Sequence, residues 1–176
     1  MHTTERRQMI SQRTSARFAV TAAISVLAVA ALSGCSVLES IFPAQAERDA
    51  ETQEIAEAGQ QDVFNVNVGD CFNDDSASTD EVSDVPAVPC AEPHDNEIYY
   101  LFDITGDEYP VDTPDQADAG CYDQFAAFIG LDYESSALDY FPIFPTADTW
   151  STGDREVICS VFDTAQSTGT LAGAAR

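Results

Sequence analysis

Among the side chains able to do chemistry, the cysteines come first, because the 176-residue chain holds five of them and a single histidine, His94, after position 2. Cys35 ends the run Leu32-Ser33-Gly34-Cys35, which reads as a lipobox. Small residues before the thiol let a lipoprotein signal peptidase close on the Gly34–Cys35 bond, and the thiol then accepts a diacylglycerol. Acyl chains at ~0.8 kcal/mol per buried CH₂ hold such a protein on a membrane. Cys71, Cys90, Cys121 and Cys159 remain, with gaps of 19, 31 and 38 residues. An even number in an exported domain reads as two disulfides. Three pairings are possible, and we favour Cys71 with Cys90, which flank neighbouring strands, and Cys121 with Cys159, which both point inward. Zinc would need closely spaced Cys or His pairs, which the gaps do not supply, so no metal is expected.

The elements that position these residues begin with a targeting segment. Arg6, Arg7, Arg13 and Arg17 precede the uncharged apolar run Phe18–Leu32. We read residues 1–34 as a lipoprotein signal peptide. The 21 uncharged residues from Phe18 to Leu38 would also suffice for an uncleaved anchor helix, but the Ala-rich composition and the lipobox favour cleavage. Residues 35–60 then read as a lipidated N-terminus and acidic tether, partly helical, because Ala44–Ala58 is rich in helix formers and Gly59 suits a helix stop. The folded domain is expected over 61–176.

Charge excludes whole classes of partner. The chain has 31 acids against 7 Arg and no Lys. Residues 61–176 offer only Arg155 and Arg176 against 24 acids, so nucleic acid is excluded. An anionic lipid surface would repel the body of the protein, which leaves membrane contact to the N-terminal anchor. With 44% hydrophobic residues the chain has enough apolar material for a core.

Within the domain, Val63-Phe64-Asn65-Val66-Asn67-Val68 alternates as a strand with Phe64, Val66 and Val68 on one face. The acidic run Asn73–Glu81 reads as a solvated loop without the glycine and bidentate glutamate of a calcium loop. Val82–Val88, bounded by Pro86 and Pro89, is expected at a sheet edge. Glu97–Ile104 is the strongest strand and expected to be central. Thr113-Pro114-Asp115-Gln116 opens a helix with Thr113 as its cap, whose apolar stripe is Ala117, Cys121, Phe125 and Phe128 and whose stop is Gly130. Leu138–Phe144 is aromatic and interrupted by Pro142, and the last strand, from Arg155 to Phe162, puts Val157, Cys159 and Val161 on one face. This is the pattern of an α+β class: a small disulfide-stapled domain of short antiparallel strands with one main helix.

The order Val68-Gly69-Asp70-Cys71-Phe72, then Cys90-Ala91-Glu92-Pro93-His94-Asp95-Asn96-Glu97, then Tyr109-Pro110, Cys121, Trp150-Ser151-Thr152-Gly153-Asp154-Arg155, Cys159 and Thr168-Gly169-Thr170-Leu171 resembles the actinobacterial septum-formation domain family over about residues 63 to 173. The resemblance implies an extracytoplasmic, membrane-tethered envelope protein without an assigned enzymatic activity. His94, Glu97, Trp150, Asp154 and Arg155 are the motif residues with a candidate binding role. His94 reads as a turn histidine bonded to backbone or carboxylate in preference to a metal ligand or pH switch, and Arg155 as a cation pairing with buried carboxylates. The functional expectation is a non-catalytic envelope lipoprotein that meets a division or envelope protein, or the wall, and needs no cofactor. The alternative is a secreted envelope hydrolase built around His94. Metabolic labelling with a fatty-acid analogue is expected to mark the wild type and not Cys35→Ala, whereas equal labelling of both would sink the lipobox reading.

Overall fold

The computed structural model describes residues 44–74 and 82–176, and its compact unit runs from Ala44 to Arg176. Cys35, the signal peptide and the loop acids Asp75, Asp80 and Glu81 lie outside the described residues. None of the described helices is long and apolar enough to cross a membrane.

A hairpin of β1 (Glu47–Arg48) and β2 (Ile55–Glu57) leads into a six-stranded sheet. Its strands are β3 (Gly59–Asp62), β4 (Cys71–Phe72), β5 (Asp84–Val88), β6 (His94–Asp103), β7 (Asp139–Ile143) and β8 (Glu156–Ser167). They lie in the order β3-β5-β4-β6-β8-β7, each pair antiparallel. The helices are α1 (Thr113–Ile129) and the short α2 (Ala147–Ser151). The α+β class with short antiparallel strands and one main helix is therefore the observed one.

Both faces of the sheet are covered. One packs on α1 through Ala117, Cys121, Phe125 and Ile129, all without solvent contact, against Val157, Cys159 and Val161 of β8. The stripe thus runs at a constant spacing of four residues and ends on Ile129, with Phe128 only half-buried at its margin. The opposite face collects Phe72, Val85, Ile98 and Ile158 under Val63 and Val66. A bulge in β6 serves this division: Ile98 pairs with Ser160 and Tyr100 with Cys159, which leaves Tyr99 as the extra residue. Tyr99 and Tyr100 consequently both pack against the helix-side core, and the Tyr99 hydroxyl donates to the Cys121 carbonyl at 2.7 Å. The two disulfides are Cys71–Cys90 and Cys121–Cys159, the latter joining the middle of α1 to the first half of β8.

Several local expectations are corrected. Residues 44–60 are not a partly helical tether: they form the β1–β2 hairpin and β3, and the Ala44 carbonyl accepts from the Gln60 N–H at 2.7 Å while the Ala46 N–H donates to the Gln60 carbonyl at 2.9 Å. Gly59 does not stop a helix. It allows a close backbone approach, since a Cβ there would lie 2.4 Å from the Gln45 carbonyl carbon. Val63–Asn65 is a 3-10 turn in place of the expected strand, with Val63 and Val66 buried and Phe64 and Val68 exposed. β5 is interior, not an edge: the Pro86 carbonyl accepts from Asn73 just beyond the two-residue β4, where the ladder ends and a proline costs no donor. The cap position of α1 is occupied by Asp112, and Thr113 is instead the first helical residue, its hydroxyl donating to the Pro110 carbonyl.

At the free edge of β7, Asp139 takes the Tyr140 N–H and Pro142 has none, so the strand offers few donors to a neighbouring chain. The close approach at Gly59 yields a test of the N-terminal correction. Gly59→Ala is expected to lower stability by ~1–3 kcal/mol through overpacking against Gln45, read by chemical denaturation; an unchanged or raised stability would restore the helical tether.

Candidate functional site

The motif residues gather around one end of β6 and around α2. The register sets Cys71 opposite Glu97 and Glu97 opposite Val161, which aims the Glu97 carboxylate into the helix-side core. It is 1% exposed. One oxygen accepts from the Thr170 hydroxyl at 2.6 Å and the other from the Leu171 N–H at 2.5 Å. Burial pushes the Glu97 carboxyl above its ordinary range, while the Leu171 N–H and the Thr170 hydroxyl pull the other way. The same segment is fixed on either side, because Gly169 donates to the Cys90 carbonyl and Gly173 and Ala175 donate to the carbonyls of Phe128 and Ile129 at the end of α1. Residues 169–175 therefore cap the helix as well as closing over Glu97.

His94 begins β6 and has no solvent exposure. Its Nδ1 lies 2.8 Å from the Glu92 carbonyl, an acceptor only, so Nδ1 carries a proton and donates. Nε2 is buried without a hydrogen-bond partner. The contact is the turn histidine bonded to backbone that the sequence suggests, and among the described residues no hydroxyl stands at hydrogen-bonding distance from Nε2. Sγ of Cys71, Sγ of Cys90 and a Glu97 oxygen lie within 4.8 Å of one another. Joined as a disulfide, the two sulfurs offer no thiolate to an ion.

Around α2, the Arg155 guanidinium lies 3.6 Å from the centre of the Trp150 ring and donates to the carbonyls of Trp150 and Asp154 at 2.9 and 2.5 Å. The expected pairing of Arg155 with buried carboxylates is thus corrected to a cation–π contact plus two carbonyls, an arrangement that closes the Gly153 turn. Trp150 donates to the Asp107 carbonyl and stacks edge-on with Tyr109, and Asp154 accepts from the Glu156 N–H at the start of β8.

Sequence reasoning missed the partly buried ion pair. Arg48 Nη1 and Nη2 meet Asp70 Oδ1 and Oδ2 at 2.7 and 2.5 Å, and Asp70 also accepts from the Asn67 N–H. Assigning Arg48 to a tether hid it; the signal was an arginine among acids twenty-odd residues before a Gly-Asp-Cys turn. Asp74 of the acidic run is engaged by the Asn96 amide. A surface hollow of about 370 Å³ lies beside β7, lined by Tyr133, Leu138, Asp139 and Phe162 among others, and takes in none of the motif residues.

A family model described as septum formation matches residues 34–159. The chain belongs to the septum-formation family. The match begins before the β1–β2 hairpin, so the family segment includes the residues expected to be tether, and it ends at Cys159, before Thr170 and Leu171. No curated protein and no solved structure matches the chain.

The raised Glu97 carboxyl sets a pH test. Its folded value lies above the unfolded one of about 4.3, so its stabilising share is full below that value and is lost as pH rises through the folded value. Glu97→Gln keeps an acceptor for Leu171 and carries no charge. The melting temperature of the wild type, relative to that of Glu97→Gln, is therefore expected to fall as pH rises from 4 to 7; a constant difference would contradict a raised carboxyl.

Proposed function

We propose that this member of the septum-formation family is a non-catalytic, extracytoplasmic lipoprotein of the cell envelope, anchored through acyl chains on Cys35, that acts in septum formation by contacting a division or envelope protein or the wall. The observation that carries the reading is how the motif residues are used. Asp70, Cys71, Cys90, His94, Glu97, Trp150, Asp154 and Arg155 each make a contact internal to the domain. These contacts account for the motif residues as groups that hold the fold together, with no substrate or partner needed to explain them. Recognition on this reading belongs to the outer surface, which is strongly acidic, and to the loops that the motif residues hold in place.

His94 is the residue that separates this reading from the hydrolase. A general base must accept a proton through Nε2 while Nδ1 is held by an orienting partner. A turn histidine needs only the Nδ1 donor. His94→Asn supplies an amide donor toward the Glu92 carbonyl and no basic nitrogen. It is expected to support growth in a complementation assay at near wild-type level, in proportion to its melting temperature. Loss of complementation with unchanged melting would favour chemistry or binding at His94.

A further inference from the structure

We infer that the loop bearing Phe64 and Val68 is the face by which the domain rests on a phospholipid bilayer, an inference that relies on the lipidated Cys35 proposed above. Among the described residues four large apolar side chains are exposed, and two of them, Phe64 at 56% and Val68 at 50%, share this one loop. Val63–Gly69 carries no charged residue in a domain otherwise crowded with acids. The acids that bracket it are both engaged in hydrogen bonds. Asp62 accepts from the Phe64 N–H at 2.9 Å, and Asp70 is held by both nitrogens of the Arg48 fork.

The exposure is built rather than incidental. Val63 and Val66 are sunk into the core under the sheet, and the Asn65 carbonyl is held by Arg48 Nη2 and Gln61 Nε2 at 3.1 Å each. With those positions fixed, Phe64 and Val68 cannot fold back into the domain. Such a rigid uncharged tip can enter the boundary between headgroups and acyl chains, where apolar side chains are favoured.

The length of chain before the described residues names the occupant. The Ala44 carbonyl accepts from the Gln60 N–H, and Phe64 follows Gln60 by four residues, a reach of about 14 Å at most. Cys35 precedes Ala44 by nine residues, which span about 30 Å when fully extended. Acyl chains on Cys35 therefore keep this end of the domain within reach of the bilayer. An acidic body repelled from anionic headgroups would turn its charged faces outward and present the uncharged loop.

The test uses the full chain, processed and acyl-labelled in cells, purified and placed in vesicles of phosphatidylcholine and anionic phosphatidylglycerol containing brominated phosphatidylcholine. Phe64→Trp and Val111→Trp are compared, Val111 being 99% exposed in the loop before α1. Trp150 contributes equally to both. Phe64→Trp is expected to emit at shorter wavelength and to be quenched several-fold more than Val111→Trp. Equal quenching of the two, or none at Phe64→Trp on labelled, vesicle-bound protein, would overturn the inference alone. Absence of the acyl label on Cys35 would overturn the anchoring and this inference together.

Discussion

A carboxylate almost fully withdrawn from water in the middle of a sheet is tolerable only if its oxygens are satisfied, and Glu97 meets that condition with groups from more than seventy residues away, the Thr170 hydroxyl and the Leu171 N–H. The residues after β8 are thereby drawn across the sheet to the end of α1, where they take up its last carbonyls. The Cys71–Cys90 disulfide stands beside the same carboxylate. Removing the acid would leave the tail without its anchor, and removing the tail would take from the carboxylate both its donors and its cover.

Around this point the domain is closed by contacts of the same kind, in which a polar side chain ties a loop to a strand. Arg48 and Asp70 bind the N-terminal hairpin to the turn that precedes β4. Arg155 lies over Trp150 and fixes the turn into β8, and His94 fixes the turn into β6 through the Glu92 carbonyl. A domain this small has limited apolar area to bury, and two disulfides with several such ties supply what its core does not.

The parts legible in the sequence were those governed by apolar periodicity. Ala117, Cys121 and Phe125 marked the buried stripe of α1, Val157, Cys159 and Val161 marked β8, and the aromatic run in β6 marked the centre of the sheet, so both disulfides could be paired from strand and helix placement. Contacts between remote backbones decided the rest. Helix propensity in Ala44–Ala58 lost to pairing with Gln60, and the alternation of Val63–Val68 lost to a turn that buries Val63 and Val66 on the sheet. Pro86 looked like an edge marker because nothing in the sequence told that β4 would be only two residues long. Arg155 looked like half of an ion pair because cations are so few in an acidic domain, yet its guanidinium meets an indole ring and carbonyls.

The central claim, that buried motif residues hold remote loops from within, is tested most directly at the Leu171 amide, which donates to Glu97 from a segment that sequence alone would leave as a loose terminus. Native-state hydrogen exchange followed by NMR measures it without any substitution. The account predicts protection of Leu171 comparable to that of the β6 and β8 amides, since opening there requires the buried carboxylate to lose its partners. Exchange of Leu171 at the rate of an unstructured terminus would contradict it.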